Sequence, residues 1–285
     1  MRIGTRGSAL ALAQAGQVAA MVPGAQLVTI TTSGDLDRAA GDKEKWVREL
    51  DRALLDGEID LAVHSAKDVP AALPDGLVIA GAPARADARD ALCGASSIAA
   101  LEPGARIGTS SLRRAAQLRA LRDDLDVVEL RGNVDTRLRR LDEGAYAAII
   151  VALAGLQRLG RADAAGAALD ELIPAAGQGV LALATRADDD RARSAVRALT
   201  DAHTLDCLTA ERALVRALSA DCDTPVGAHA VRAPSGDGLR LRAFVGREDG
   251  SAWLVDEHDG EPPEALGIAV AGRLRAAGAD EVLGR

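Results

Sequence analysis

The chain has 285 residues, 48% of them hydrophobic and 27% charged, enough for two or three globular domains with sizeable cores. Its formal net charge is −8 and its aromatic residues are confined to Trp46, Tyr146, Phe244 and Trp253, which argues against a nucleic-acid binder, since that needs a basic surface and stacking rings. Cys93, Cys207 and Cys222 are too few and too irregularly spaced for a disulfide framework, His64, His203, His229 and His258 form no ligand cluster, so no metal is expected, and neither a Walker A sequence nor a G-x-G-x-x-G occurs.

The opening MRIGTRGSALALAQAGQVAAM resembles a secretion signal, but Gln14 and Gln17 interrupt its apolar run. It reads instead as a strand over 2–5 followed by a helix from near Ser8, and with the scattered thiols this predicts a cytoplasmic protein. Further strands are predicted at QLVTIT, LAVHS, LVIAGAP, ARIGTS, DVVELRG, AAIIVAL and VLALATR, with helices at KWVRELDRALL and SLRRAAQLRAL. The run from Ala145 to Leu156 falls short of the ~20 residues a bilayer span needs and reads as a buried strand entering a helix. Strands alternating with helices predict an α/β fold with mainly parallel sheets, here two smaller sheets rather than one.

Polar joints at 84–90 and Gly-rich 174–180 suggest that the chain crosses between lobes twice. The expected domains are 1–84 with 180–200 as a discontinuous first lobe, 89–176 as a second lobe with a cleft between the two, and 202–285 as a small α+β domain. The last contains one helix, the stretch SADCDTPVG, three strands and a helix from Pro263 to Ala277.

Four strand-to-helix junctions combine cations, hydroxyls and small residues: GTRGS (4–8), HSAKD (64–68), GTSSLRR (108–114) and RGNVDTR (131–137). Ligands of open α/β sheets bind outside the carboxyl ends of strands, where helix N-termini offer N–H donors to anions. Arg113 and Arg114 run against the usual acidic preference of a first helical turn, and Arg offers a planar fork for carboxylates. A polyanionic ligand is therefore expected. Asp68 stands apart in this cationic company, either as a cap or salt-bridge partner of Lys67 or as an acid/base or cation-stabilising group. Cys222 stands apart from Cys93 and Cys207, which read as packed thiols: it lies in a turn-rich stretch between Asp221 and Asp223, which disfavour its thiolate.

Eight motifs in order, RIGTRGSALALAQA, GEIDLAVHSAKDVP, GTSSLRRAAQL, LRGNVDTRLRRLDEG, AIIVALAGLQRLG, IPAAGQGVLA, TAERALVRAL and CDTPVGAHA, resemble the porphobilinogen deaminase (hydroxymethylbilane synthase) family over nearly the whole chain. The resemblance implies two lobes like those of periplasmic binding proteins, and a monomeric transferase that joins four porphobilinogen units into a linear tetrapyrrole. Its primer would be a dipyrromethane cofactor held by a thioether to Cys222. The same resemblance implies that Ser65, Lys67, Thr109, Ser110, Ser111, Arg113, Arg114, Arg131 and Gly132 bind the cofactor. Arg6, Ser8, Gln14, Arg137 and Arg158 would bind substrate, and Asp68 would be catalytic, stabilising the cation left when ammonia departs.

Two departures from the family pattern occur. SGDLDRAAGDKEKWVREL, which includes Trp46, replaces a longer loop with a Gly-Lys-Gly-Leu-Phe-like stretch, and Ala220-Asp221 stand where glycines are common. A two-lobed solute-binding module would fit the same lobes and junctions, but needs neither Asp68 nor Cys222.

Overall fold

The computed structural model describes residues 1–30, 47–221 and 223–285. Trp46 and most of the shortened loop lie outside these residues. Two compact units are present, 1–86 with 180–208 and 87–179 with 209–285.

In the first unit, β1 (Arg2–Arg6), β2 (Gln26–Ile30), β3 (Leu61–Ser65), β4 (Leu77–Gly81) and β10 (Leu181–Arg186), numbered in chain order, form one sheet in the order β2-β1-β3-β10-β4. Alternation along the strands feeds two faces. Leu61, Val63, Leu181 and Leu183 pack with Ile3, Ala15 and Val18 on one face, while Ala62 and Ala184 pack with Leu50, Leu54 and Ile59 on the other. The helix α1 (Ala9–Met21) supplies Ala15 and Val18, and α2 (Arg48–Leu55) supplies Leu50 and Leu54. Burial on both faces is why the strands read as nearly continuous apolar runs.

The second unit repeats the plan. Its strands β5 (Asp90–Cys93), β6 (Arg106–Gly108), β7 (Asp126–Val128), β8 (Ala148–Ala152) and β9 (Ala167–Leu169) are ordered β7-β6-β8-β5-β9. The helix α3 (Leu112–Leu121) packs Ala115 and Leu118 against Ile107 and Ile150. On the opposite face, α4 (Val134–Asp142) and α5 (Leu153–Arg158) pack Leu138 and Leu156 against Ile149 and Val151.

The α/β class is as expected, but neither sheet is purely parallel. In each, four strands share a direction and the fourth in order, β10 or β5, is reversed. These reversed strands directly follow the two connections between the units, which deliver them to their sheets from the opposite end. The strands β5 (DALC) and β9 (AAL) were not anticipated.

The helix α6 (Asp190–Leu199) completes the first unit, and α7 (Ala202–Ala217) begins in the first unit and ends in the second. The strands β11 (Val226–Arg232), β12 (Leu239–Gly246) and β13 (Trp253–Gly260) make a separate antiparallel sheet, covered by α8 (Pro263–Ala276). This is the small C-terminal sheet domain expected from the sequence. Its first strand lies tight against the segment before the second connection, where Ala228 N–H donates to Pro174 O at 2.8 Å.

A Cβ on Gly227 would stand 2.8 Å from the Ile173 carbonyl oxygen, so the residue must be glycine for the backbones to approach. Gly227→Ala is expected to lower stability by about 1–3 kcal/mol through this overpacking, measured by urea denaturation.

Candidate functional site

The first unit gathers its predicted residues at the carboxyl ends of β1 and β3, which are parallel neighbours in the sheet. Ser8 is the N-cap of α1, its Oγ accepting from Ala11 N–H at 3.3 Å. Gln14, buried on the same helix, donates Nε2 to Ser65 Oγ at 2.7 Å and thereby fixes that hydroxyl at the end of β3. Lys67 and Asp68 follow on a single 3-10 turn, Ala66–Asp68, and both are half-buried. Asp68 has no hydrogen bond and no ion pair among the described residues, so the salt bridge to Lys67 considered from sequence is not formed there. Arg6 ends β1.

His64, which was given no role from sequence, lies buried at the end of β3, its Nε2 without a hydrogen-bond partner among the described residues. Burial pushes its pKa down to about 4, against the pull of the Asp68 carboxylate and with the push of the Arg6 guanidinium. The imidazole is therefore neutral near pH 7.

The second unit sets a denser cluster around the carboxyl ends of β6 and β7. Ser111 caps α3, and its own N–H donates to Thr109 Oγ1 at 3.2 Å. Asn133 caps α4 in the same manner, accepting from Thr136 N–H at 2.9 Å. Gly132, just before that cap, has φ +123°, and a Cβ there would stand 2.9 Å from Thr136 Cγ2. The turn brings Arg137 back onto Gly132 O at 2.8 Å and onto Ser110 Oγ at 2.8 Å, so three predicted residues are joined by two hydrogen bonds. Burial, with the charge of Arg114, lowers the Arg137 pKa to about 10, which leaves it protonated at neutrality. Arg131 is exposed and pairs with Glu129 at 2.6 Å, and Arg158 donates to Gly179 O at 2.7 Å.

Arg113 and Arg114 are not exposed. They are 4% and 5% accessible and close on Asp90, which is fully buried. Arg113 Nη2 donates to one Asp90 oxygen at 2.8 Å, while Arg114 Nε and Nη2 donate to the other at 2.9 and 2.7 Å. Gln178 Nε2 joins them at 2.8 Å and also donates to Ala88 O. The remaining ends are tied to backbone, Arg113 Nη1 to Ile173 O at 2.7 Å and Arg114 Nη1 to Ile150 O at 3.1 Å. Arg113 Nε is buried without a hydrogen-bond partner among the described residues. Asp90 and Gln178 were missed from sequence, and no local signal marks them, because their partners lie more than twenty residues away along the chain.

Cys222 lies outside the described residues. On either side of it, Thr224 Oγ1 donates to Asp221 Oδ1 at 2.6 Å, and Asp223 N–H donates to the same oxygen at 3.0 Å. Asp221, in place of a family glycine, thus closes the turn with its own side chain. Upstream, Ser219 has φ +49°, and the carbonyls of Leu218 and Ser219 accept from Arg285. Cys93 and Cys207 are buried and unbridged, as expected of packed thiols.

Cationic and hydroxyl side chains at the strand ends of two α/β sheets define an α/β protein with chemistry suited to anionic groups at those ends. Family models extend this to a particular family. The model described as "Porphobilinogen deaminase, dipyromethane cofactor binding domain" matches residues 1–194, and that for the C-terminal domain of porphobilinogen deaminase matches 205–276. A porphobilinogen deaminase of Rubrobacter xylanophilus is 47% identical across 99% of this chain and 96% of its own. One of Roseiflexus sp. is 48% identical across 95% and 94%. Among solved structures, a periplasmic substrate-binding protein of an ABC transporter from Coxiella burnetii has TM-score 0.44 at 19% identity, over 72% of this chain and 94% of that one. A nutrient-binding protein from Burkholderia cenocepacia has TM-score 0.42 at 13% identity, over 72% and 93%. The chain belongs to the porphobilinogen deaminase family, whose members are transferases with a dipyrromethane cofactor. The donor set fits that group: guanidiniums, hydroxyls and one unsatisfied buried Nε–H suit the carboxylates its pyrrole rings bear.

Burial alone would raise the Asp90 pKa, but the charges of Arg113 and Arg114 and the hydrogen bonds from Arg114 and Gln178 outweigh it and hold the carboxyl well below its ordinary 3.8. Stability from a depressed carboxyl is fully present above the unfolded-state value and lost as pH falls through the folded-state one. The stability difference between the parent and Asp90→Asn is expected to be about 3–5 kcal/mol near pH 6 and to shrink below about pH 4. Urea denaturation midpoints followed from pH 6 to pH 3 check this.

Proposed function

We propose that this chain condenses four porphobilinogen units head to tail, with release of ammonia, into hydroxymethylbilane, and hydrolyses that product from a dipyrromethane primer carried on Cys222. The match of both family domain models, with relatives 47% identical over 99% of the chain, carries this reading. It extends to a cytoplasmic monomer acting on a small-molecule substrate, divided as 1–84 with 180–200, 89–176 and 202–285.

Ser65, Lys67, Thr109, Ser110 and Ser111, with Arg113, Arg114, Arg131 and Gly132, hold the primer in this reading. Guanidinium forks take its carboxylates and hydroxyls supply further hydrogen bonds. Arg6, Ser8, Gln14, Arg137 and Arg158 hold the incoming substrate and the growing chain. The covalent primer, when bound, supplies a nucleophilic pyrrole carbon. Gln14 orients Ser65, and Arg137 is steered by Ser110 and Gly132, so these two groups are positioned by neighbours.

Asp68 acts on charge. Its carboxylate has no partner among the described residues, so its lone pairs remain available to the substrate. It stabilises the positive charge that develops on the substrate as ammonia leaves, and accepts at a carboxylate oxygen the proton given up when the new bond rearomatises. The neutral His64 beside it adds no competing charge.

Cys93 is an unsuitable attachment point, since burial pushes its thiol up to about 11. Intact-mass measurement of purified protein is expected to show an adduct of two linked pyrroles on the peptide containing Cys222, absent from Cys222→Ala and retained in Cys93→Ala and Cys207→Ala. Unmodified but active protein would overturn the assignment. In primer-loaded Asp68→Asn, single-turnover extension is expected to slow by about 10²–10³, because shape is kept while full negative charge is lost. Asp68→Glu should retain part of the rate, and a parental rate in the Asn variant would remove Asp68 from the chemistry.

A further inference from the structure

We infer that Asp90 is a positioning residue for carboxylate recognition: from behind Arg113 and Arg114 it fixes the direction in which both guanidiniums present their remaining N–H groups. The inference rests on the reading that this arginine pair holds primer carboxylates. Asp90 itself has no accessible surface, so it cannot be a ligand contact. What it can do is govern the two side chains that are.

A guanidinium carries five N–H groups. Arg113 commits one to Asp90 and one to Ile173 O, and its buried Nε–H has no partner among the described residues. Arg114 commits two to Asp90 and one to Ile150 O. Both side chains therefore keep donors for a ligand, and those donors are aimed by contacts on their far edges. The carboxylate is itself held, because Gln178 Nε2 donates to it at 2.8 Å and to Ala88 O at 2.7 Å.

Charge points the same way. Two adjacent buried cations repel, and burial together with the Arg114 charge lowers the Arg113 pKa against the pull of Asp90. One carboxylate between them leaves the trio with a single net positive charge. That balance suits one further carboxylate from the ligand. Without Asp90 the pair would carry two uncompensated charges and nothing to set its orientation.

The test measures primer loading rather than turnover. The full-length chain is produced in cells that make no porphobilinogen, and covalent loading by added porphobilinogen is followed by intact mass as a function of its concentration. Asp90→Glu keeps the charge but shifts the carboxylate by one methylene. Among folded molecules, its loading efficiency is expected to fall about 10²-fold, mainly as a higher half-saturating concentration. Asp90→Asn should show at least the same deficit, and if it does not fold, Asp90→Glu decides. Ile98→Val, a core change in the same sheet's packing, serves as control and should lower the melting temperature while its folded fraction loads like the parent.

Parental concentration dependence in folded Asp90→Glu would overturn the inference. Arg113→Lys and Arg114→Lys separate the two levels. If they are impaired while the Asp90 variants are not, only the positioning role fails. If they too load like the parent, the arginine reading underneath it is what has failed.

Discussion

A single carboxylate, Asp90, lies between two guanidiniums, and all three side chains are buried. Such an arrangement is costly to bury and persists only when the partners are held in good geometry and further hydrogen bonds satisfy them. Here the second condition reaches outward. The helix α3 is fastened to the 172–174 segment because Arg113 and Gln117 both donate to Ile173 O, and Gln117 also accepts from Ile173 N–H. The side chain of Ile173 packs with Ala116 and Phe244, and the next residue accepts from Ala228 on β11. The helix that presents the arginines and the strand that follows Pro225 are thus linked through one short stretch of backbone.

This arrangement explains how a chain of net charge −8 can gather cations without scattering them. Acidic residues serve as internal counter-ions, each limiting where its arginine can point. Asp90 does so in the interior and Glu129 does so at the surface with Arg131. Arg137 has no such counter-ion among the described residues and is steered instead by a carbonyl and a hydroxyl, which leaves its charge less neutralised. The contrast between the two sheets is chemical as well as geometric. Both rims carry cations and hydroxyls, but only the first adds a carboxylate, Asp68, with no hydrogen bond among the described residues, and a neutral imidazole, His64.

The sequence made the architecture legible because buried strands such as LAVHS and AAIIVAL are short, apolar and set between helices of opposite periodicity. It failed at β5 and β9, and it carried no sign of strand direction even at β10, whose segment VLALATR read as a strand but not as a reversed one. The cationic strand-to-helix junctions were legible from arginines that break the acidic preference of helix starts. Their surroundings were not. Asp90 and Gln178 stand in DARDALC and AAGQGV with nothing to announce them, since a buried counter-ion is defined by distance in space and not by local pattern. His64 was passed over for the same reason: a lone histidine in a strand shows no shortage of partners until its surroundings are known. The Ser8 and Ser111 hydroxyls, read as ligand donors, prove also to be helix caps.

The order of strands in the first sheet has a consequence for how the chain is made. During synthesis β2, β1 and β3 can pair as soon as they emerge, but β4 has no neighbour in that sheet other than β10. Residues 77–81 must therefore wait until residues 181–186 leave the ribosome, with all of β5 to β9 produced in the interval. The second sheet contains only those intervening strands and needs nothing from either side to complete its pairing. A lobe numbered first along the chain is thus the later of the two to close, and until then an apolar strand is left with unpaired backbone on both edges, the kind of segment that invites association with another chain.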